Sequence, residues 1–360
     1  MTYFDANASE PLRPAARAAV LSALDTVGNP SSVHAAGRAA RRLLEDAREQ
    51  VAGHFGAAPA GVVFTSGGTE ANALAVHALR AGRRVIVGAT EHDAVRAAAP
   101  DAKVLPVDAQ GVADLSALRA LLAQGPALVC LMLANNETGV LHPIAEAARL
   151  CRQAGALLHV DAVQAAGRIG VDLTALGADS LALSGHKLGG PLGAGALLLV
   201  GEPALAPLIG GGGQERGRRG GTPALPAIAG FAAAAQAAVG EPSDPAGLRD
   251  MIEASACAAG AVAVGAGAPR LPNTTCLALP GVRADTQVIA LDLAGFRVSA
   301  GAACSSGRVS ASPVLAAMGL GSLAGAAVRV SLPWNATAED ATAFVSAYVE
   351  MAGRLLRRAA

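Results

Sequence analysis

Lysine is almost missing from this chain. Of its 28 basic residues, 26 are arginine and two, Lys103 and Lys187, are lysine. Arginine stays protonated at any pH a protein meets, whereas a desolvated lysine amine can lose its proton and attack a carbonyl. A sequence that writes arginine wherever a plain positive charge suffices therefore points to a chemical use for Lys187, in the stretch SGHKLGG. Net charge is missing as well, since 28 acidic residues balance the 28 basic ones. That removes the electrostatic footprint of a nucleic-acid or anionic-membrane binder and favours specific small-molecule chemistry.

Cysteine is sparse. Cys130, Cys151, Cys257, Cys276 and Cys304 form an odd, scattered set with no Cys-x-x-Cys pair, which argues against a disulfide framework or a structural zinc site; no metal is expected. The longest apolar run, residues 223–240, is interrupted by Pro226, Gly230 and Gln236, so a buried helix is expected there and not a membrane span. The opening MTYFDANASEPLRP has no charged-then-apolar leader, and a reducing cytoplasm is the predicted location. Neither G-x-x-x-x-G-K-[ST] nor G-x-G-x-x-G occurs after a strand-like run, which takes the main support from a nucleotide-binding reading.

What is present is a rhythm. Short runs rich in valine and leucine, at residues 62–65, 84–89, 127–134, 157–162, 180–184 and 195–200, alternate with longer alanine-rich stretches. Continuous apolarity suggests strands buried on both faces, and the alternation predicts an α/β fold with a mostly parallel sheet covered by helices. The segment EPSDPAG after residue 240 breaks the rhythm. A large domain over 13–242 is expected, with a smaller α+β domain made of 1–12 and 243–360.

In open α/β sheets the ligand lies beyond the carboxyl ends of the strands, and those positions are polar here. After VVFT comes SGGTEANALAV, a glycine-rich turn opening a helix at Gly68 and Thr69, which makes a cradle for an anion. His92 follows the second run, and Asn135 and Asn136 the third. Asp161 ends the fourth, with Gln164 three residues on; if a helix starts there, both side chains face one ligand. A buried aspartate needs a partner, and a protonated ring nitrogen is one. Ser184, His186 and Lys187 end the fifth. A phosphate anchor, a carboxylate for a pyridinium nitrogen and a lysine for an aldehyde together describe a pyridoxal phosphate pocket.

Nine ordered segments then carry a resemblance: DANASEP from Asp5, GNPSSVHAAGRAAR from Gly28, FTSGGTEANALA from Phe64, EHDAV from Glu91, NNETGVLHPI from Asn135, HVDAVQAAGR from His159, SGHKLGGPLGAGAL from Ser184, GGGQERGRRGGTP from Gly211 and SAGAACSSG from Ser299. As a set they resemble the cysteine desulfurases, in the class V aminotransferase branch of fold type I pyridoxal phosphate enzymes. The resemblance implies a seven-stranded sheet, conversion of L-cysteine to L-alanine, and transfer of the sulfur to an enzyme cysteine for iron–sulfur assembly or another acceptor. Lys187 is implied as the cofactor's covalent anchor and the mover of the substrate's α-proton. Asp161 is implied as partner of the ring nitrogen, Gln164 of the phenolic oxygen, and His92 as stacked on the ring. Gly68, Thr69, Ser184 and His186 are implied at the phosphate, with Thr222 supplied by the other subunit of a homodimer. Asn136 is implied to orient cofactor and substrate, and Arg329 to grip the substrate's carboxylate, for which a bidentate guanidinium is suited; the bland alternative for Arg329 is an internal ion pair. Cys304, in a run of small residues, is implied as the sulfur carrier. The chain departs from the family pattern at Glu10, Leu192, Gly220 and Pro333. Selenocysteine lyase, another class V reaction and a non-catalytic assembly scaffold remain the competing readings, and the acceptor is not named by the sequence.

Overall fold

A computed structural model describes residues 1–240, 245–301 and 311–359. The first part of the chain begins with helices α1 (Pro14–Leu24) and α2 (Ala35–His54) and continues through β1 (Val62–Thr65), α3 (Gly68–Leu79), β2 (Arg84–Gly88) and β3 (Lys103–Leu105). Strands β4 (Ala127–Met132), β5 (Leu157–Asp161), β6 (Ser180–Ser184) and β7 (Gly195–Leu199) follow, then α4 (Leu225–Gly240) over most of the expected buried helix. The seven strands form one sheet in the order β1-β7-β6-β5-β4-β2-β3, parallel throughout except for β7, which runs antiparallel to both its neighbours.

The two faces of this sheet explain the continuous apolar runs. Side chains alternate across a strand. In β4, Ala127, Val129 and Leu131 join the large core with α1, α2 and α4, while Leu128 and Cys130 join the opposite one. In β1, β6 and β7, the residues Val63, Ala182 and Leu197 turn to the face covered by Ala71, Leu74 and Ala75 of α3. Both faces are dry, so no polar alternation survives in sequence. The same parity decides the chemistry of β5: Leu158 and Val160 enter the large core, which turns His159 and Asp161 to the face of α3.

The later part of the chain builds a second, antiparallel sheet around β8 (Thr274–Ala278) and β9 (Ala327–Ser331), with Ser299–Ala300 and Val262–Ala263 at its edges. It has its own core, in which Leu277, Val328 and Val330 meet Ile252, Phe344 and Tyr348 of the flanking helices, the last two on α5 (Ala338–Ala359). The chain start belongs to this core: Phe4 is buried in it, and Thr2–Tyr3 pairs in parallel with Phe296–Arg297.

Candidate active site

Asp161 is the last residue of β5 and is 6 % exposed. Its Oδ1 accepts the Val163 N–H at 2.9 Å and its Oδ2 accepts the Asn72 Nδ2 at 2.7 Å. The chain turns at 162–165 and forms no helix there, yet Gln164 still faces the same cavity as Asp161. Because Asn72 gives its amino group to the carboxylate, its Oδ1 must accept, at 2.8 Å, from Nε2 of the fully buried His159; Nδ1 of that ring then accepts from the Ser180 hydroxyl at 2.8 Å. The chain of donors runs one way, from Ser180 through His159 and Asn72 to Asp161. The Asp161 carboxyl lies above its ordinary value: burial pushes it up, and the Val163 N–H, Asn72, His92 and Lys187 offset only part of that rise. Burial also keeps His159 neutral, with its pKa lowered to about 3.

The cavity above Asp161 is about 170 Å³ and takes in Gly68, Thr69, His92, Asn136, Gln164, Ser184, His186 and Lys187 of the sequence expectation. The structure thus brings these together from the ends of five elements. At one end, the first turn of α3 presents backbone N–H groups that have no partner within the helix. A Cβ on Gly68 would stand 2.6 Å from Val163 Cγ2, so any side chain there would fill the cradle. A Cβ on Gly195 would stand 2.6 Å from Leu183 O and 2.7 Å from Gly67 Cα, so glycine in β7 is what lets the turn lie against the sheet. His92 caps the short helix Asp93–Arg96, its Nδ1 accepting the Ala94 N–H at 3.1 Å. A second cavity, about 670 Å³, lies on the other side of Lys187 behind walls such as Phe55, Val171, Leu188 and Leu332. Neither Asp161 nor the start of α3 lines it, so the donors converge on the smaller one.

Lys187 ends the turn Gly185–Lys187, and its Nζ donates to the carbonyls of Asn7 and, at 3.0 Å, Ala8. Asn7 is a hub that sequence reasoning passed over: its carbonyl also accepts Gln164 Nε2 at 3.0 Å, and its Nδ2 reaches Asn136 O at 3.1 Å and Thr274 Oγ1 at 3.0 Å. Arg329 on β9 is 2 % exposed; its Nη1 donates to Asn136 O at 3.0 Å, its Nη2 pairs with Asp5 Oδ1 at 2.6 Å, and its buried Nε has no hydrogen-bond partner among the described residues. The bland alternative for Arg329, an internal ion pair, is therefore present, and Arg329 is not among the residues lining the 170 Å³ cavity, which it meets only through Asn136.

Two of the departures from the family pattern, Glu10 and Pro333, lie together. Glu10 is buried, accepts the Trp334 N–H at 2.8 Å and pairs with the buried Arg168 at 3.3 Å; Arg168 in turn holds Gln164 Oε1, and Pro333 precedes Trp334. Gly220 packs on backbone, where a Cβ would stand 2.5 Å from Gly210 C, whereas Leu192 is exposed. Thr222 does not join the cavity of its own chain. It lines a separate one of about 140 Å³ with Phe64, Glu215 and Arg219. Cys304 lies outside the described residues.

The model of the family described as aminotransferase class V matches residues 2–344. The chain belongs to that family. Its relatives are cysteine desulfurases: one from Cereibacter sphaeroides is 42 % identical over 356 residues, spanning 94 % of this chain and 92 % of the relative. An IscS-like cysteine desulfurase from Mycobacterium tuberculosis is 38 % identical over 369 residues, 95 % and 94 % of the two chains. Among solved structures, a NifS-like protein from Rickettsia africae superposes with a TM-score of 0.91 at 35 % identity, covering 98 % of this chain and 99 % of that one. SspA in complex with cysteine superposes at 0.79 with 28 % identity, covering 92 % and 99 %. The class V desulfurases are pyridoxal phosphate enzymes, and the donor set suits that cofactor. A helix N-terminus accepts a phosphate, a buried carboxylate held as an acceptor accepts a ring N–H, and a lysine amine stands within the same 170 Å³.

Proposed function

We propose that this chain is a pyridoxal phosphate-dependent cysteine desulfurase that converts L-cysteine to L-alanine and takes up the sulfur as a persulfide on Cys304. The observation that carries the reading is the one-way hydrogen-bond chain into Asp161, opposite Lys187 in one cavity. Bound there, the cofactor supplies an aldehyde for amines and a protonated ring that withdraws electrons. The first turn of α3 with Gly68, Thr69, Ser184 and His186 holds the phosphate, Asp161 holds the ring proton, and Gln164 addresses the phenolic oxygen. Burial and the neighbouring Lys187 lower His186 to about 4. Thr222 reaches the phosphate of the partner in a homodimer.

Arg329 takes the substrate's α-carboxylate, with Asn136 fixing the guanidinium through its carbonyl. Lys187 removes the α-proton and His92 assists later proton transfers. The Cys304 thiolate then attacks the substrate sulfur. An S–S bond forms, the Cβ–S bond breaks, its electron pair stays with Cβ, a proton completes the methyl group, and a proton returns to the α-carbon from Lys187 to give alanine. A relative solved with cysteine supports that substrate. The acceptor is a protein such as an iron–sulfur scaffold. Two units, 13–242 and 1–12 with 243–360, share the work, and their separate cores support this division. No helix among the described residues is long and apolar enough to cross a membrane, and the free thiols Cys130, Cys151, Cys257 and Cys276 fit a reducing cytoplasm.

Purified protein incubated with pyridoxal phosphate, L-cysteine and a thiol reductant is expected to release alanine and sulfide in equal amounts. Lys187→Ala should abolish both together with the cofactor's bound absorbance, and Cys304→Ser should bind cysteine but form no persulfide. Alanine release by K187A at the parent rate would sink the assignment.

A further inference from the structure

Glu70 stands where a carboxylate works against the cofactor. It lies in the first turn of α3, the helix whose N-terminal donors serve the phosphate, and its side chain folds back so that Oε2 accepts the Ser66 N–H at 2.8 Å. A negative charge is thus fixed at the helix terminus that has to take a phosphate, and like charges at one terminus repel. Arg219 meets that charge. Its Nε donates to Glu70 Oε1 at 2.8 Å and its Nη2 to Oε2 at 3.2 Å, so the guanidinium fork spans both carboxylate oxygens. Burial pushes the Glu70 carboxyl up, yet the bonds from Arg219 and Ser66 together hold it below its ordinary value. The turn that delivers Arg219 is firmly held. Just before it, Glu215 (φ 48°) and Arg216 (φ 60°) are non-glycine residues in the left-handed region, a conformation that persists where the surroundings over-determine it. Here the buried Glu215 accepts Arg48 Nη1 and Nη2, both at 2.8 Å, and the Phe64 N–H at 2.9 Å, on the strand that leads into the α3 turn.

We propose that Arg219 is a positioning residue for the phosphate cradle: through Glu70 it neutralises the carboxylate that organises the Ser66 turn, so that the start of α3 keeps its shape without repelling a dianion. The proposal rests on the pyridoxal phosphate reading and adds to it a pair that does not line the 170 Å³ cavity. Glu70 has two effects that conflict. It ties down the backbone ahead of the helix, as the glutamate of a capping box does, here one residue further back. It also brings negative charge to the positive end of the helix dipole, where the phosphate belongs. Arg219 removes the second effect and leaves the first, because a paired carboxylate still accepts the Ser66 N–H. The side chains of Arg219 and Glu70 are 21 % and 11 % exposed, so salt screens the pair little. Arg219 Nη1 is taken up by Gly220 O at 3.1 Å, which fixes the fork against its own turn. It follows that Arg219 matters for a phosphorylated ligand and not for the same ring without its phosphate.

The test titrates the apoprotein with pyridoxal phosphate and with pyridoxal by calorimetry, at one pH and one salt concentration, for the parent, R219Q, E70Q and the double variant E70Q/R219Q. R219Q leaves the Glu70 charge uncompensated and is expected to bind pyridoxal phosphate about tenfold more weakly, with pyridoxal within about twofold of the parent. E70Q/R219Q removes both charges and should return pyridoxal phosphate to within about threefold of the parent, a coupling that two independent losses would not show. Unchanged affinity of R219Q for pyridoxal phosphate, in a parent that binds it, overturns the proposal alone. So does equal weakening of both ligands, which would make Arg219 a support of the fold only. A double variant as weak as R219Q also overturns it, since Arg219 would then meet an anion directly. A folded parent that binds no pyridoxal phosphate overturns the cofactor reading and the proposal with it. If R219Q does not fold, E70Q decides: losing the negative charge should raise the preference for pyridoxal phosphate over pyridoxal at least about threefold, and an unchanged or lowered preference overturns the proposal.

Discussion

A buried carboxylate protonates unless its surroundings keep it an acceptor, and for Asp161 those surroundings are the linked side chains of Asn72, His159 and Ser180. Asn72 can donate to Asp161 only while His159 occupies its other end, and His159 keeps that tautomer only while Ser180 donates to Nδ1. Asn72→Ala leaves a buried carboxylate oxygen and a buried imidazole N–H unpaired. Loss of a hydrogen bond to a charged group is worth about 1.5–3 kcal/mol. Cofactor affinity, read by fluorescence titration of the apoprotein, should fall by about ten- to a hundredfold; an affinity within twofold of the parent would show that Asp161 needs no relay. Lys187 is positioned in the same indirect way, since the carbonyls that receive its amine belong to Asn7 and Ala8.

Among the elements, β7 is the one whose direction shapes the pocket. Running antiparallel between β1 and β6, it brings Gly195 opposite both Thr65 and Ser184, at the mouth where the turn before α3 must lie flat. Gly195→Ala places a methyl group 2.6 Å from Leu183 O and 2.7 Å from Gly67 Cα, backbone atoms that cannot rotate away. Overpacking of this kind costs about 1–3 kcal/mol. The variant should show a urea midpoint lowered in proportion and a weakened grip on inorganic phosphate or pyridoxal phosphate at the α3 turn. An unchanged midpoint would mean that the turn has room to move.

At the scale of the molecule, buried titratable groups set opposing dependences of stability on pH. His142, His159 and His186 are lowered by burial to about 4, 3 and 4. The native chain therefore holds fewer protons than the unfolded one below about 6.5, and the stability these groups provide is present above that pH and lost as it falls toward their folded values. Glu137, raised from 4.5 to about 7, works in the other direction. Between those two values the native chain keeps a proton the unfolded chain has released, so this contribution is present below 4.5 and lost as pH rises through 7. Comparing the parent with E137Q cancels the histidines. From pH 5 to 7.5 the apoprotein should lose up to about 3 kcal/mol relative to E137Q, at about 1.4 kcal/mol per pKa unit. Urea midpoints at pH 5, 6 and 7.5 measure the difference, and a flat one would mean that Glu137 titrates as an exposed carboxylate does.

By itself the sequence determined the strands, the placing of Asp161, Ser184 and Lys187 at their ends, and the glycine-rich opening of α3, because these depend on short-range periodicity and on residues that end an element. It also marked Lys187 by the scarcity of its kind. What only the tertiary structure decided is which side chains meet: Gln164 with Asn7 across 157 positions, Arg329 with Asp5 across 324, Glu137 with Ser312 across 175. Asn72 and His159 carry no sign in their neighbours that they share a proton donor chain, since the contact exists only once α3 lies on the face that the parity of β5 selects. Glu10 read as a departure from the family pattern until Arg168 and Trp334 closed around it. Local pattern follows from backbone geometry a few residues at a time, whereas partners are chosen by the order of the sheet and by the packing of distant segments into the same few ångströms.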